Sequence, residues 1–156
     1  LSIRRQRQMC IRDRSRDWLP NPIGGIVWLA WDNVAASVYS PLYCGIIDVP
    51  ASFKEPGRTK GYNRNSAWWA FNRLSTLAAQ RWGDMRHDLE AVWQPMQSEL
   101  FANQVNFERT ALELYRDDSY KLKEYLTEYS MKWADKIVKR GWKLGDELWT
   151  KYDEKF

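Results

Sequence analysis

The sequence has few of the residues on which most enzyme sites depend. Its 156 residues include one histidine, His87, and two cysteines, Cys10 and Cys44. The cysteines are too few for a disulfide framework and are not in a CxxC arrangement. The sequence contains neither a glycine-rich phosphate loop nor a cluster of metal-ligating residue types. We therefore expect no cofactor and no metal site.

Long apolar runs are also missing. A helix needs ~18–20 consecutive apolar residues to span a bilayer, and Asp32 and several prolines interrupt the best candidate. The first residues lack the apolar stretch of a secretory signal. The sequence thus predicts no membrane span, and it does not indicate a cellular compartment.

Positive charge is concentrated at one end of the chain. The net charge is +4, but residues 1–16 hold six arginines and one acid, a sum of +5 that leaves the remainder at −1. A basic segment confined to a terminus is a poor nucleic-acid surface, so we expect no nucleic-acid partner. Residues 1–15 resemble translated sequencing-adapter sequence. We predict that they are a non-native leader, that residues 16–156 are part of one domain, and that the native protein extends upstream.

The rest of the chain changes from a strand-like to a helical pattern. The apolar run 25–32 is typical of a strand covered on both faces. Residues 36–46 follow as a second strand, and Pro41 places it at an edge or a bulge. After that, apolar residues recur every three or four positions. We predict an α+β fold with short strands at about 24–48 and long helices at about 66–152.

Local signals mark the ends of the helices. Asn65 or Ser66 can cap the first long helix, and Pro95 predicts a kink or a restart in the next. Residues 117–119 predict the end of one helix and the cap of the last one. Gly141 takes one position of the apolar stripe of the last helix, so we expect a close backbone contact there.

Four polar or aromatic residues are candidates for a binding site. Arg64, just before a helix start, could bind a carboxylate with help from the free helix amides, or make a structural salt bridge. Trp68 and Trp69 diverge by ~100° on a helix, so at most one faces a cleft and the other packs in the core. Asp32 and Asn33, at the end of a buried strand, could line a site or form a turn.

Two other residues have simpler interpretations. Cys44 lies in a strand-like apolar stretch, and we predict that it is a small buried hydrophobic residue. His87 is surrounded by charged residues on a polar helix, and we predict that it lies on the surface.

The order of several segments resembles the C-terminal part of the cysteine-type dipeptidases of the N-terminal nucleophile hydrolase superfamily, the dipeptidase A or secernin-like family. These segments are residues 24–33, 37–45, 47–50 and 64–72, and residues 142–152 resemble the natural C-terminus of that family. The most specific of them is Arg-Asn-Ser-Ala-Trp-Trp-Ala-Phe-Asn at residues 64–72.

The resemblance implies a fold, an activity and a nucleophile. The family fold stacks two antiparallel sheets between layers of helices, and this chain would be its C-terminal portion. The activity is hydrolysis of dipeptides by a cysteine at the mature N-terminus, whose own α-amino group is the general base. That cysteine would lie upstream of this chain, because Cys10 is in the predicted leader and Cys44 is internal. We predict no catalytic residue in the chain and no activity of the chain alone.

The resemblance also ranks the candidate site residues. Arg64 has the position of an arginine that approaches the active site in the wider superfamily, and we expect it to contact a dipeptide substrate. Asn33, Asp32 and Trp68 are the further expected substrate contacts.

Alternatives from other functional classes remain open. The long terminal helix is compatible with a non-catalytic helical interaction module, and a homo-oligomer is possible. Ten tryptophans are compatible with a carbohydrate-binding module.

Overall fold

The computed structural model describes residues 10–155. Three strands form one antiparallel sheet in the order β1–β2–β3. They are β1 Cys10–Arg14, β2 Ile26–Ala30 and β3 Ser40–Tyr43. In the register, Arg14 pairs with Ile26, which also pairs with Tyr43 on the other side.

The long helices follow the sheet, and two short helical segments, at Asn21–Gly24 and Val34–Ala36, lie between its strands. The α-helices are α1 Asn21–Gly24, α2 Ala51–Lys54, α3 Ala67–Gln80, α4 Trp82–Asp117 and α5 Ser119–Tyr152. Short 3₁₀ turns lie at Val34–Ala36, Arg58–Lys60 and Asp153–Lys155. Within residues 10–155, no helix combines the length and the apolar content that crossing a bilayer requires.

The predicted α+β order of strands followed by long helices is confirmed. β3, which contains Pro41, forms one edge of the sheet, as expected for a strand with a proline. The other edge strand, β1, lies in the predicted leader and outside the region of about 24–48 where strands were predicted. Residues 1–9 lie outside the described residues. That residues 1–15 are non-native stays a prediction.

Two apolar clusters form the core, and α5 contributes to both. One cluster joins α3, the first turns of α4 and the second half of α5. The other joins β2, β3, the second half of α4 and the first half of α5. The stripe predicted for the last helix is buried at Leu122, Leu126, Trp133, Ile137, Gly141, Leu144, Leu148 and Tyr152. This stripe holds the sheet and the other two long helices together.

The predicted helix ends have mixed outcomes. Asp118 caps α5, because its carboxylate accepts from the amides of Tyr120 and Lys121 at 3.0 and 3.1 Å. Pro95 neither ends nor restarts α4, which runs through it for 36 residues; Pro95 is exposed, so water can reach the carbonyl that its missing N–H leaves free. Ser66 is at the N-cap of α3, but its side chain makes no capping hydrogen bond.

The predictions for Gly141 and Cys44 both differ from the structure. The Phe71 ring packs over Gly141, where an added Cβ would lie 3.4 Å from Phe71 Cζ. This is an ordinary van der Waals contact with a side chain, and not the close backbone contact that was expected there. The prediction that Cys44 is buried is wrong, because the residue is exposed. It follows the last residue of β3, so buried Tyr43 and Cys44 point to opposite sides of the chain.

A buried ion pair ties the start of the chain to α4. Arg16 Nη1 lies 2.7 Å from Glu108 Oε2, and the two side chains are 6% and 13% exposed. Arg16 Nη2 also donates to the Ile23 carbonyl at 2.8 Å. Tyr43 and Gln104 each donate to Glu108 Oε1 at 2.8 Å. Three side chains, from the segment before α1, from β3 and from α4 itself, therefore converge on one carboxylate.

These hydrogen bonds and the burial of the site determine the protonation states of Glu108 and Tyr43. Burial acts to raise the pKa of Glu108, but the hydrogen bonds from Arg16, Tyr43 and Gln104 outweigh it and hold that pKa below its usual value of 4.5. Burial and the negative charge of Glu108 raise the pKa of the Tyr43 phenol. Glu108 is therefore ionised and Tyr43 is a neutral donor at neutral pH.

Asp32 joins the sheet to α3. It comes shortly after β2, is 1% exposed and has a φ of 56°, in the left-handed region. Its carboxylate accepts from Asn72 Nδ2 at 3.2 Å and from the Ser75 hydroxyl. Aspartate tolerates this backbone better than most residues, and the two α3 donors satisfy its buried oxygens.

Replacing Glu108 with glutamine should destabilise the chain. Glu108→Gln leaves the Arg16 charge buried without its counter-ion, so we expect the free energy of unfolding to fall by about 3 kcal/mol at pH 7. Because the pKa of Glu108 is depressed in the fold, the difference from wild type should shrink as the pH falls below 4.5. Denaturant unfolding at several pH values measures the difference in unfolding free energy between wild type and Glu108→Gln.

The exposed Glu99–Lys136 ion pair, 2.7 Å long, provides the matched control. Glu99→Gln should cost at most about 1 kcal/mol. Equal losses from the two substitutions would contradict the role given to the Arg16–Glu108 pair.

Because the backbone of Asp32 has a positive φ, replacement by glycine should destabilise the chain less than replacement by alanine. Asp32→Gly and Asp32→Ala both remove the acceptor, but alanine keeps a Cβ at positive φ, so we expect Asp32→Ala to be less stable by about 1–2 kcal/mol. At Asn33, with a φ of −102°, the order should reverse by about 0.5–1 kcal/mol. Urea unfolding compares the four variants, and the same order at both positions would contradict the strain at Asp32.

Candidate functional site

Arg64 lies in the loop before α3 and reaches α5. Its guanidinium carbon is 4.7 Å from the centre of the Trp142 ring. Its Nη2 is 3.5 Å from Asp146 Oδ2, at the outer limit of a hydrogen bond. The Arg64 side chain is 59% exposed. The guanidinium therefore rests on an aromatic face, is weakly paired, and remains open to solvent.

Aromatic side chains surround this position. Tyr62 lies edge-on to Trp69 at 5.3 Å and to Trp142 at 6.1 Å between ring centres. Trp68 and Trp69 are perpendicular at 4.8 Å. The ring cluster Tyr62, Trp69 and Trp142 thus forms a partly exposed surface beside Arg64.

Trp68 and Trp69 are both half-buried, and their rings touch edge-on. Trp68 packs against the core cluster and has Arg58 Cζ 5.4 Å from its ring centre. Its contact with a substrate stays a prediction. Trp69, which was not among the candidates, is the tryptophan of the pair that lies in the ring cluster. Helical spacing alone does not tell which member turns toward Tyr62.

The start of α3 adds positive potential near Arg64. The first hydrogen bond of the helix runs from the Ala70 amide to the Ser66 carbonyl, so the helix does not satisfy the amides before Ala70. The first turn has no acidic residue. Ser66 is fully buried, and its hydroxyl has no hydrogen-bond partner among the described residues. The helix terminus therefore favours an anion at this end.

Asp32 and Asn33 lie at a different position along α3. Asp32 is bound to Asn72 and Ser75, which are roughly 9–14 Å along the helix from Ser66. Asn33 lines a surface pocket of about 240 Å³, whose other lining residues are Ala35, Ser75, Ala79 and Trp82. Among residues 10–155, neither Asp32 nor Asn33 shares a hydrogen bond, ion pair or ring contact with Arg64. Their contact with a substrate stays a prediction.

Cys44 and His87 lack the surroundings of catalytic groups. The Cys44 thiol is exposed and within the chain, so the residue has no α-amino group to act as its base. His87 is 63% exposed and faces Glu90 at 3.8 Å, which confirms its surface position. Among residues 10–155, no group of three or more histidine, cysteine or acidic residues is arranged to hold a metal ion.

Comparison with known proteins gives one family. The model of peptidase family C69 matches residues 1–95, which include the predicted leader, the sheet, α3 and the first turns of α4. A comparison with curated proteins found no match. The matched region covers more than half of the chain and contains Asp32, Asn33, Arg64 and Trp68. The order of strands and helices, the arginine at the start of α3 and this match agree, and the chain belongs to peptidase family C69.

Proposed function

We propose that this chain is part of a cysteine-type dipeptidase in which Arg64 binds the free carboxylate of the substrate. The peptidase family supports the reaction class. The observation that carries the residue assignment is the Arg64 side chain in the loop before α3, which is 59% exposed and has its guanidinium over the Trp142 ring.

The geometry of Arg64 favours ligand binding over a purely structural salt bridge. A stacked guanidinium keeps its N–H groups at the edge of the plane, where a carboxylate can accept two hydrogen bonds. The Asp146 contact at 3.5 Å is too long to satisfy these donors. The amides at the start of α3 reinforce the preference for an anion.

The proposed nucleophile is a cysteine outside the described residues, with a free α-amino group. That amine takes the thiol proton, and the sulfur attacks the carbonyl carbon of the peptide bond. The C–N bond breaks as the leaving amine receives the proton, which leaves a thioester. Water then cleaves the thioester, releasing the acid and restoring the thiol. Cys44 cannot fill this role, because its nitrogen is in a peptide bond.

One observation favours the alternative of an interaction module. The second half of α4 exposes three large apolar side chains, those of Phe101, Val105 and Tyr115, to 50%, 66% and 45%. A stable oligomer of defined size in sedimentation analysis, together with a complete protein that does not cleave dipeptides, would support that reading.

Activity should require the upstream sequence. We expect no turnover of dipeptides by the 156-residue chain, and turnover by the protein encoded by the complete reading frame, because only the latter has the N-terminal cysteine. Replacing that upstream cysteine with alanine should abolish turnover, whereas Cys44→Ala should leave it unchanged. Turnover by the chain alone that is lost in Cys44→Ala would contradict the proposal, as would a genuine start codon at residue 16 with no upstream frame.

Arg64 should discriminate between free and blocked carboxylates. In the complete protein, Arg64→Met should lower kcat/KM for a dipeptide by roughly 10- to 100-fold, the range expected for a hydrogen-bonded charged group. Turnover of the corresponding dipeptide amide should hardly change. Arg109→Met, which removes an exposed arginine from α4, is the matched control. An equal loss on both substrates would remove Arg64 from carboxylate recognition.

A further inference from the structure

Both contacts of the Arg64 side chain come from one turn of α5. Trp142 lies beneath the guanidinium at 4.7 Å, and Asp146 approaches its edge at 3.5 Å. The two residues are four positions apart and therefore share a helix face. They lie beyond residue 95, where the family match ends, so the match does not assign them a role.

Asp146 is held mainly by another residue. Arg73 Nη2 is 2.8 Å from Asp146 Oδ1, shorter than the 3.5 Å contact with Arg64, and Arg73 is 24% exposed. Gly145 leaves room for Arg73, since an added Cβ there would lie 2.7 Å from Arg73 Nη1. Asp146 can thus release Arg64 and still keep a charged partner.

The other charges near this turn leave an excess of cations. Arg140 pairs with Glu147 at 2.9 Å, and Lys143 lies 3.8 Å from the same carboxylate. With Arg64 and Arg73 on Asp146, four cations face two carboxylates. Arg64 and Lys143 are the two weakly paired cations of this group, at 3.5 and 3.8 Å from their carboxylates. Of these two, Arg64 carries the planar guanidinium that can bind a carboxylate with two hydrogen bonds, and it lies over the Trp142 ring.

We propose that α5 controls the availability of Arg64, with Trp142 as a positioning residue and Asp146 as an internal competitor for the same donors. This inference rests on the proposed role of Arg64 as the carboxylate contact. Trp142 fixes the plane of the guanidinium by stacking. Asp146 occupies one edge of it through a weak bond that a ligand carboxylate displaces. Substitutions at the two positions therefore have opposite effects on carboxylate binding.

The experiment uses the 156-residue chain and does not depend on catalysis. The side-chain Nε–H resonance of Arg64, assigned with Arg64→Lys in ¹⁵N-labelled protein, is followed during titration with N-acetylglycine. N-acetylglycinamide is the uncharged control ligand and should not shift it. We expect Trp142→Leu to raise the Kd roughly 2- to 5-fold and to remove the ring-current shift. We expect Asp146→Asn to lower the Kd by a similar factor.

Opposite signs separate this proposal from general damage to α5, which would weaken binding in both variants. Trp142→Phe keeps an aromatic face and should lie between wild type and Trp142→Leu, and the amide spectrum reports whether each variant is folded. Glu99→Gln, at the exposed ion pair with Lys136, should leave the Kd unchanged.

If the Kd changes in the same direction in Trp142→Leu and Asp146→Asn, or does not change in either variant, the proposal is overturned. If N-acetylglycine does not perturb Arg64 at all, the carboxylate role of Arg64 fails together with it. If the opposite signs are found but the complete protein does not cleave dipeptides, the proposed activity fails and the control by α5 stands.

Discussion

The packing of α5 is the constraint on which the rest of the structure depends. This helix of 34 residues, roughly 50 Å long, contributes one buried stripe to both apolar clusters. The first half of the stripe covers the sheet and α4, and the second half covers α3. Because most helical stability in proteins comes from such burial, the packing of α5 is the main support for the relative positions of the sheet, α3 and α4.

Much of this arrangement was predictable from periodicity. The three- and four-residue spacing of α5 and the Asp118 cap are local signals, and both were confirmed. Exposure was less predictable, because it depends on partners distant in sequence. Cys44 looked buried from its apolar neighbours but lies just past the end of β3, and Ser66 has the capping position without the capping bond. The strand β1 was not predicted, because it lies in residues 1–15, which were predicted to be a non-native leader.

Of the residues in the candidate site, Arg64 was predictable from the sequence and its partner Asp146 was not. Arg64 stands out locally, since an arginine before a helix start is a known anion-binding arrangement. Its partner Asp146 is 82 residues further on, and on the amphipathic pattern of α5 it is only a polar position on the outer face. The carboxylate of Glu108 is similar, because its partner Arg16 is 92 residues away and looked like part of a basic terminus. Sequence reasoning finds single residues with unusual local context, and it misses partners that tertiary packing supplies.

The ion pair of Arg16 has a consequence for shortening the chain. Arg16 is the first residue after the predicted leader, and it bonds both to Glu108 and to the Ile23 carbonyl. Removal of residues up to 15 takes away β1 and exposes the edge of β2, but leaves Arg16 to pair with Glu108. Removal of one residue more also leaves the Glu108 carboxylate inside the protein with only the neutral donors Tyr43 and Gln104. The two truncations therefore remove different interactions, first the pairing of a strand and then a buried counter-ion.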